Sequence, residues 1–312
     1  MKKYFGRFLP LALLAALVFF VLGACTKDES KQDQPFFKHQ QKTTFQHVHG
    51  IGFTGENELL IATHKGILKY SGNKWFTTSK NKHDYMGFQT IKNGFYASGH
   101  PDKGSHWKDP LGLVKSSDNG RTLNKLSFYG ETDFHALAAG YESGIVYALN
   151  QQKNSKIGAG IFYTKDEGGT WTKSRLKGMT SKQLGGMAAH PLDEKLFALY
   201  GREGIFLSSN YGNDFVLFPT PDPVTSMSYG KNDILFAAAN ENEILLYRLD
   251  YKTKKLSAMS SIEGTSENPV LYLAENPEDD NQLALSTSSN NVYISNDKGG
   301  SWKEIAVEGK IE

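Results

Sequence analysis

Nine histidines lie along the 312-residue chain, and they are unevenly spread: His39, His47, His49, His64, His83, His100, His106 and His135 precede residue 136, and His190 follows it alone. Three short runs stand out: His47-Val-His49-Gly50, Asp84-Tyr-Met86-Gly87 and Asp133-Phe-His135-Ala136. Side chains alternate faces along a strand, so the first and third positions of each run point the same way. Aligned, the runs offer His47, Asp84 and Asp133 at one level and His49, Met86 and His135 at the next. His64 and His100 each close an apolar, β-rich stretch at an equivalent point. Imidazole and carboxylate together suit a transition-metal ion, and a thioether from Met86 would favour copper over zinc or manganese. The expected metal ligands are therefore His47, His49, His64, Met86, His100 and His135, with Asp84 and Asp133 as further ligands or as acceptors that orient a ligand imidazole. The two aspartates would alternatively suit the acid/base pair of a glycoside hydrolase, one carboxyl raised by its neighbour. The same groups could also simply hydrogen-bond one another and fill a buried polar space. His83 and His106 are expected in loops, and His190, in Ala-His-Pro, in a turn.

Positioning these residues requires a scaffold, and the sequence repeats. Four segments share one spacing: Ser116-Ser-Asp118-Asn-Gly120-Arg-Thr-Leu123, Thr164-Lys-Asp166-Glu-Gly168-Gly-Thr-Trp171, Ser208-Ser-Asn210-Tyr-Gly212-Asn-Asp-Phe215 and Ser295-Asn-Asp297-Lys-Gly299-Gly-Ser-Trp302. The Asp or Asn oxygen can close a turn onto backbone N–H groups, Gly supplies a positive φ, and the terminal aromatic packs inward. The acidic positions are 48 (118 to 166), 44 (166 to 210) and 87 (210 to 297) residues apart, the last interval being about two repeats. Between them recur strand-sized runs such as Glu58–Thr63, Gly94–Ser98, Ile145–Leu149, Lys195–Leu199, Ile234–Ala238 and Gln282–Ser286. Six units begin near residues 44, 84, 132, 184, 223 and 268.

The four segments resemble the Asp box, or BNR repeat, of sialidase-type β-propellers. The resemblance implies an all-β fold, a single propeller of six four-stranded blades, with Asp-box turns between third and outermost strands. In such a ring the innermost strands line a central channel, which would gather the His, Asp and Met residues at one side of its mouth. Sialidases clamp a substrate carboxylate with three arginines, whose forked geometry Lys cannot replace. This chain has only Arg7, Arg121, Arg175, Arg202 and Arg248, not at equivalent blade positions. Sialidase activity is not expected.

The start of the chain carries an address. Lys2, Lys3 and Arg7 precede an uncharged apolar run from Phe8 to Ala24, which ends in Leu22-Gly23-Ala24-Cys25. The pattern resembles the signal peptide and lipobox of bacterial lipoproteins, in which the cysteine is diacylated and becomes the new N-terminus. Cys25, the single cysteine of the chain, stands at the one position lipidation needs. The expected organisation is a signal peptide over 1–24, the lipidated Cys25 and a flexible tether over 25–42, and the propeller over 43–312. The expected location is the extracytoplasmic face of a bacterial membrane, anchored through Cys25.

Composition narrows the remaining chemistry. One cysteine closes no intramolecular disulfide and builds no thiolate zinc or iron–sulfur site. Of 35 basic side chains, removing Lys2, Lys3 and Arg7 leaves 32 against 33 acidic ones, so a cleaved chain has no basic excess for nucleic acid or anionic lipid. No GxSxG, HExxH, P-loop or dinucleotide signature is present, and no nucleotide or organic cofactor is indicated. Three readings remain: a propeller that binds copper or another transition metal for sequestration, delivery or redox chemistry; a non-sialidase glycoside hydrolase acting on a glycan through Asp84 and Asp133; and a non-catalytic propeller that binds another envelope protein. The Pro101–Pro110 loop would be a lid in the first two and an anchor in the third.

Overall fold

Second strands that read as unbroken apolar runs must be covered on both faces, and the ring of blades supplies that cover. The computed structural model describes residues 35–181, 183–239, 243–259, 262 and 267–311. Every regular element among them is a strand. Blade 1 comprises Val48–Phe53, Leu59–Thr63, Gly66–Ser71 and Lys74–Thr78; blade 2, Asp84–Ile91, Gly94–His100, Leu113–Ser116 and Asn124–Ser127; blade 3, Leu137–Ala139, Val146–Asn150, Gly160–Thr164 and Thr172–Lys173. Blade 4 comprises Leu184–Ala189, Phe197–Gly201, Gly204–Ser208 and Val216–Pro219; blade 5, Val224–Tyr229, Ile234–Ala239, Ile244–Leu249 and Leu256–Ala258; blade 6, Val270–Asn276, Asp279–Thr287, Val292–Ser295 and Lys303–Ala306. Each is an antiparallel meander. The first strands of successive blades lie side by side, and that of blade 6 returns to blade 1, so six blades close a β-propeller.

The period-two alternation of each second strand divides its side chains between two cores. In blade 1, Leu59 and Ile61 face a cluster shared with blade 6 (Ala274, Ala284, Val292), whereas Leu60 and Ala62 face blade 2 (Tyr85, Phe88, Phe95). The same division continues around the ring, giving one apolar cluster at each blade junction. Tyr147 of blade 3 stacks on Phe197 of blade 4 at 3.9 Å between ring centroids. Fully burying each such side chain contributes roughly 1.5–3 kcal/mol, so the junctions dominate the stability.

The four repeated turns join third and outermost strands. In the second of them, Thr164 Oγ1 accepts from Gly168 N at 2.8 Å and Asp166 Oδ1 accepts from Thr170 N at 2.8 Å. Asn210 does the work of Asp in the third, accepting from Asp214 N at 2.9 Å. Gly168 has φ +89°, a conformation for which a side chain carries a steric cost. These turns lie at the outer rim, away from the channel.

One element departs from the expected boundaries. Phe37–Gln40, within the stretch expected as a tether, forms a fifth strand on the outer edge of blade 1, paired with Trp75–Thr78. Phe36 is buried, and Phe37 lies 4.4 Å under the Lys69 ammonium, so this segment has apolar partners that a solvated tether lacks. Thr43–Thr44 pairs with Lys310–Ile311, tying the two ends of the ring. The expected leader and Cys25 lie outside the described residues.

Candidate metal centre at the channel mouth

The first strand of a blade opens irregularly. In blades 1, 2, 4, 5 and 6 the register with the second strand shifts at the outset, between Val48 and Gly50, Asp84 and Gly87, Leu184 and Gly186, Val224 and Ser226, and Val270 and Tyr272. Such a bulge turns the inserted residue out of the ladder and re-aims its side chain. The re-aimed positions include His49, Gly185, Thr225 and Leu271, and all four, with His135 of blade 3, line a cavity of about 300 Å³ in the channel. His49 and His135 bring imidazoles to this rim, whereas the re-aimed residues of blades 4 to 6 are Gly185, Thr225 and Leu271.

His49, His64 and Asp84 form the tightest group. One ligand atom from each lies within 4.8 Å of the others, and no second trio of His, Cys, Asp or Glu among the described residues meets that limit. His64 Nδ1 is 2.6 Å from Asp84 Oδ2 and 3.4 Å from His49 Nε2. His49 Nε2 is 3.6 Å from Asp84 Oδ1, an oxygen that is buried and accepts no hydrogen bond. Burial, reinforced by the neighbouring imidazoles and only partly opposed by Asp84, pushes His49 down to about 4, so its nitrogen lone pair is available at neutral pH. His47 precedes the first strand with φ 53°, an uncommon conformation outside glycine, and its ring meets that of His64 edge-on at 4.8 Å.

A second group adjoins it at the junction of blades 2 and 3. His100 Nδ1 is 2.6 Å from Asp109 Oδ1, and its Nε2 is 3.3 Å from Asp133 Oδ2. His135 Nδ1 approaches the same Asp133 oxygen to 3.0 Å. Neither contact is aligned as a hydrogen bond, so Asp133 Oδ2 is a second buried carboxylate oxygen without one. Its other oxygen faces Ser98 Oγ at 3.4 Å, and that hydroxyl accepts from Phe134 N at 2.8 Å. Burial holds the Asp133 carboxyl above the usual range despite the two imidazoles. His100 is pulled down by its own partial burial, but Asp109 and Asp133 outweigh this and hold it above the ordinary imidazole value.

Most of the expected site residues therefore converge: His47, His49, His64 and Asp84 in one group, His100, Asp133 and His135 in the next. Met86 follows Asp84 by two residues in the same strand and is half-buried like it, with the buried Tyr85 between them. Asp109 enters without a sequence signal, from the long loop after His100. His83 is a loop residue as expected, yet it is buried: its Nδ1 accepts from Asp102 N at 2.9 Å, and its ring packs against Trp107 and Tyr85. It holds the base of the loop that presents Asp109. His190 sits in a turn of blade 4, where its Nδ1 accepts from Leu192 N and Asp193 N.

The arginines gather elsewhere. Arg248 is held by Asp233 at 2.8 Å and Glu275 at 2.6 Å, Arg121 lies over Phe36, and Arg175 bonds Asn213. None lines the channel cavity.

The architecture is similar to that of several solved propellers. They include the GH74 xyloglucanase from Xanthomonas campestris (TM-score 0.54, 14% identity, 86% of this chain and 47% of that one) and the GH74 enzyme of Niastella koreensis (TM-score 0.54, 17% identity, 87% and 47%). YCF48 bound to D1 peptide is similar over most of both chains (TM-score 0.50, 12% identity, 88% and 86%). The chain spans about half the length of the GH74 structures. At these identities the similarity shows the β-propeller fold alone. No family model matches the sequence, and no curated protein does.

Proposed function

We propose that this protein is an extracytoplasmic lipoprotein, anchored through Cys25, whose propeller binds a divalent transition-metal ion through His49, His64 and Asp84. The observation that carries the reading is the convergence of these three ligand atoms within 4.8 Å beside the unpartnered Asp84 Oδ1. A buried carboxylate oxygen with no donor is costly unless a cation completes its environment. Two imidazoles and a carboxylate suit copper(II), zinc or nickel; among divalent first-row ions the affinity order favours copper. Preference for copper rests on that order. Three protein ligands leave coordination positions open, which fits sequestration or delivery of an exchangeable ion, or redox chemistry, better than a closed structural site. Copper titration of the full-length protein should give a tight equivalent that His49→Ala and Asp84→Asn remove; binding unchanged by both substitutions would refute the assignment. Loss of membrane attachment in Cys25→Ser tests the anchor.

A second reading is supported by Asp133, whose burial keeps its carboxyl protonated to higher pH than usual, as a general acid requires. With Asp84 as partner, the channel mouth would act on a glycan, in keeping with the fold shared with GH74 enzymes. Turnover of xyloglucan or an aryl glycoside, abolished by Asp133→Asn with the fold intact, would favour it. Metal-independent inactivity on both substrates argues against it.

A further inference from the structure

The blade repeat places the same pair of residues twice. His64 follows the second strand of blade 1 and meets Asp84 at the start of blade 2; His100 ends the second strand of blade 2 and reaches Asp133 just before blade 3. Each carboxylate receives one further imidazole from the channel rim, His49 at 3.6 Å for Asp84 and His135 at 3.0 Å for Asp133. Each keeps one buried oxygen with no hydrogen bond. The second junction therefore reproduces the donor set of the first.

The surroundings of His100 add an independent argument. Asp109 Oδ1 lies 2.6 Å from its Nδ1, which places a proton on that nitrogen. A carboxylate behind one ring nitrogen is the usual companion of a metal-ligating histidine, fixing the tautomer and aiming the other nitrogen at the ion. The other nitrogen of His100, Nε2, faces Asp133 Oδ2 across 3.3 Å. The misalignment of the contact suits an ion set off the N–O line better than a proton on it.

We propose that His100, Asp133 and His135 form a second site for a divalent transition-metal ion, adjoining the His49/His64/Asp84 site and weaker than it. It is weaker because its three ligand atoms do not all gather within the 4.8 Å that holds those of His49, His64 and Asp84. The inference rests on the metal-binding reading above and extends it from one ion to a pair.

Zinc titration of the full-length protein, with metal quantified after each addition, tests this. Two equivalents are expected, the second with lower affinity, and His100→Gln should leave one. Asp133→Asn should do the same, with circular dichroism confirming the fold; the half-exposed His100 provides the variant least able to disturb it. His64→Ala should remove the tight equivalent. A single equivalent in the wild type, insensitive to His100→Gln, would overturn the second site and leave the first intact. Zero equivalents would overturn both.

Discussion

Blades 1 to 3 and blades 4 to 6 share one backbone and differ in what they bring to the channel. The irregular opening of the first strand aims His49 inward in blade 1 and Gly185, Thr225 and Leu271 inward in blades 4, 5 and 6. The second strand leads into His64 in blade 1, ends at His100 in blade 2 and ends at Gly201 in blade 4. Gly185 and Gly186 have a packing reason as well, because a Cβ at either would collide with Tyr200. The lesson is that the repeat fixes where side chains can reach the channel and leaves their chemistry free. Stability is distributed around the ring at the junctions, whereas the titratable groups are concentrated in one half of the mouth.

That contrast can be broken most severely at a junction. Phe197→Ala should destabilise the protein by about 3–5 kcal/mol in denaturant unfolding, with folded molecules keeping their metal affinity. The reverse is expected at the mouth: Asp84→Asn should weaken copper binding by at least about a hundredfold while the unfolding midpoint stays close to wild type, since partners outside the metal's direct ligands already account for 10–100-fold. Thr225→Ala, on the rim in blade 5, should change neither. Equal loss of affinity from Asp84→Asn and Thr225→Ala would mean that the two halves are not chemically distinct.

Two smaller effects separate structural from functional ionisation. His190 is lowered by burial, and its Nδ1 must stay unprotonated to accept from Leu192 N and Asp193 N. Its stabilising contribution is complete above the ordinary histidine pKa of about 6.5 and declines as pH falls below it toward the depressed folded value. His190→Gln should flatten that part of a stability–pH curve. At lower pH the turn carboxylates act: hydrogen bonds from Ser301 hold Asp297 down to about 2, so its contribution is present above the ordinary carboxylate range and is lost as pH falls toward 2. Asp297→Asn, which copies the Asn210 turn, should shallow the acid limb measured by fluorescence. An unchanged acid limb would assign it to other groups.

Much of this was legible in the sequence because the features are local. A Gly two residues after an Asp, and an apolar run of five or six residues, declare turn and buried strand without knowledge of the rest of the fold. The uneven histidines were legible for the same reason, since their places in the repeat decide which way they face. What escaped depends on an irregular loop or on long-range pairing. Asp109 reaches His100 through an irregular loop whose course no spacing rule describes. Phe37–Gln40 pairs with a strand more than thirty residues away, and two adjacent phenylalanines in a polar stretch were the only hint of it.

The pairing of Thr43–Thr44 with Lys310–Ile311 has a consequence for how the molecule comes into being. Each blade is assembled from neighbours in sequence and can form as soon as its own residues are available. The clasp joins segments at opposite ends of the propeller, so it is the contact of highest sequence separation and the slowest to find by search. The half of the mouth that carries the imidazoles is made first during synthesis. It cannot take its final shape until the last residues arrive to shut the ring.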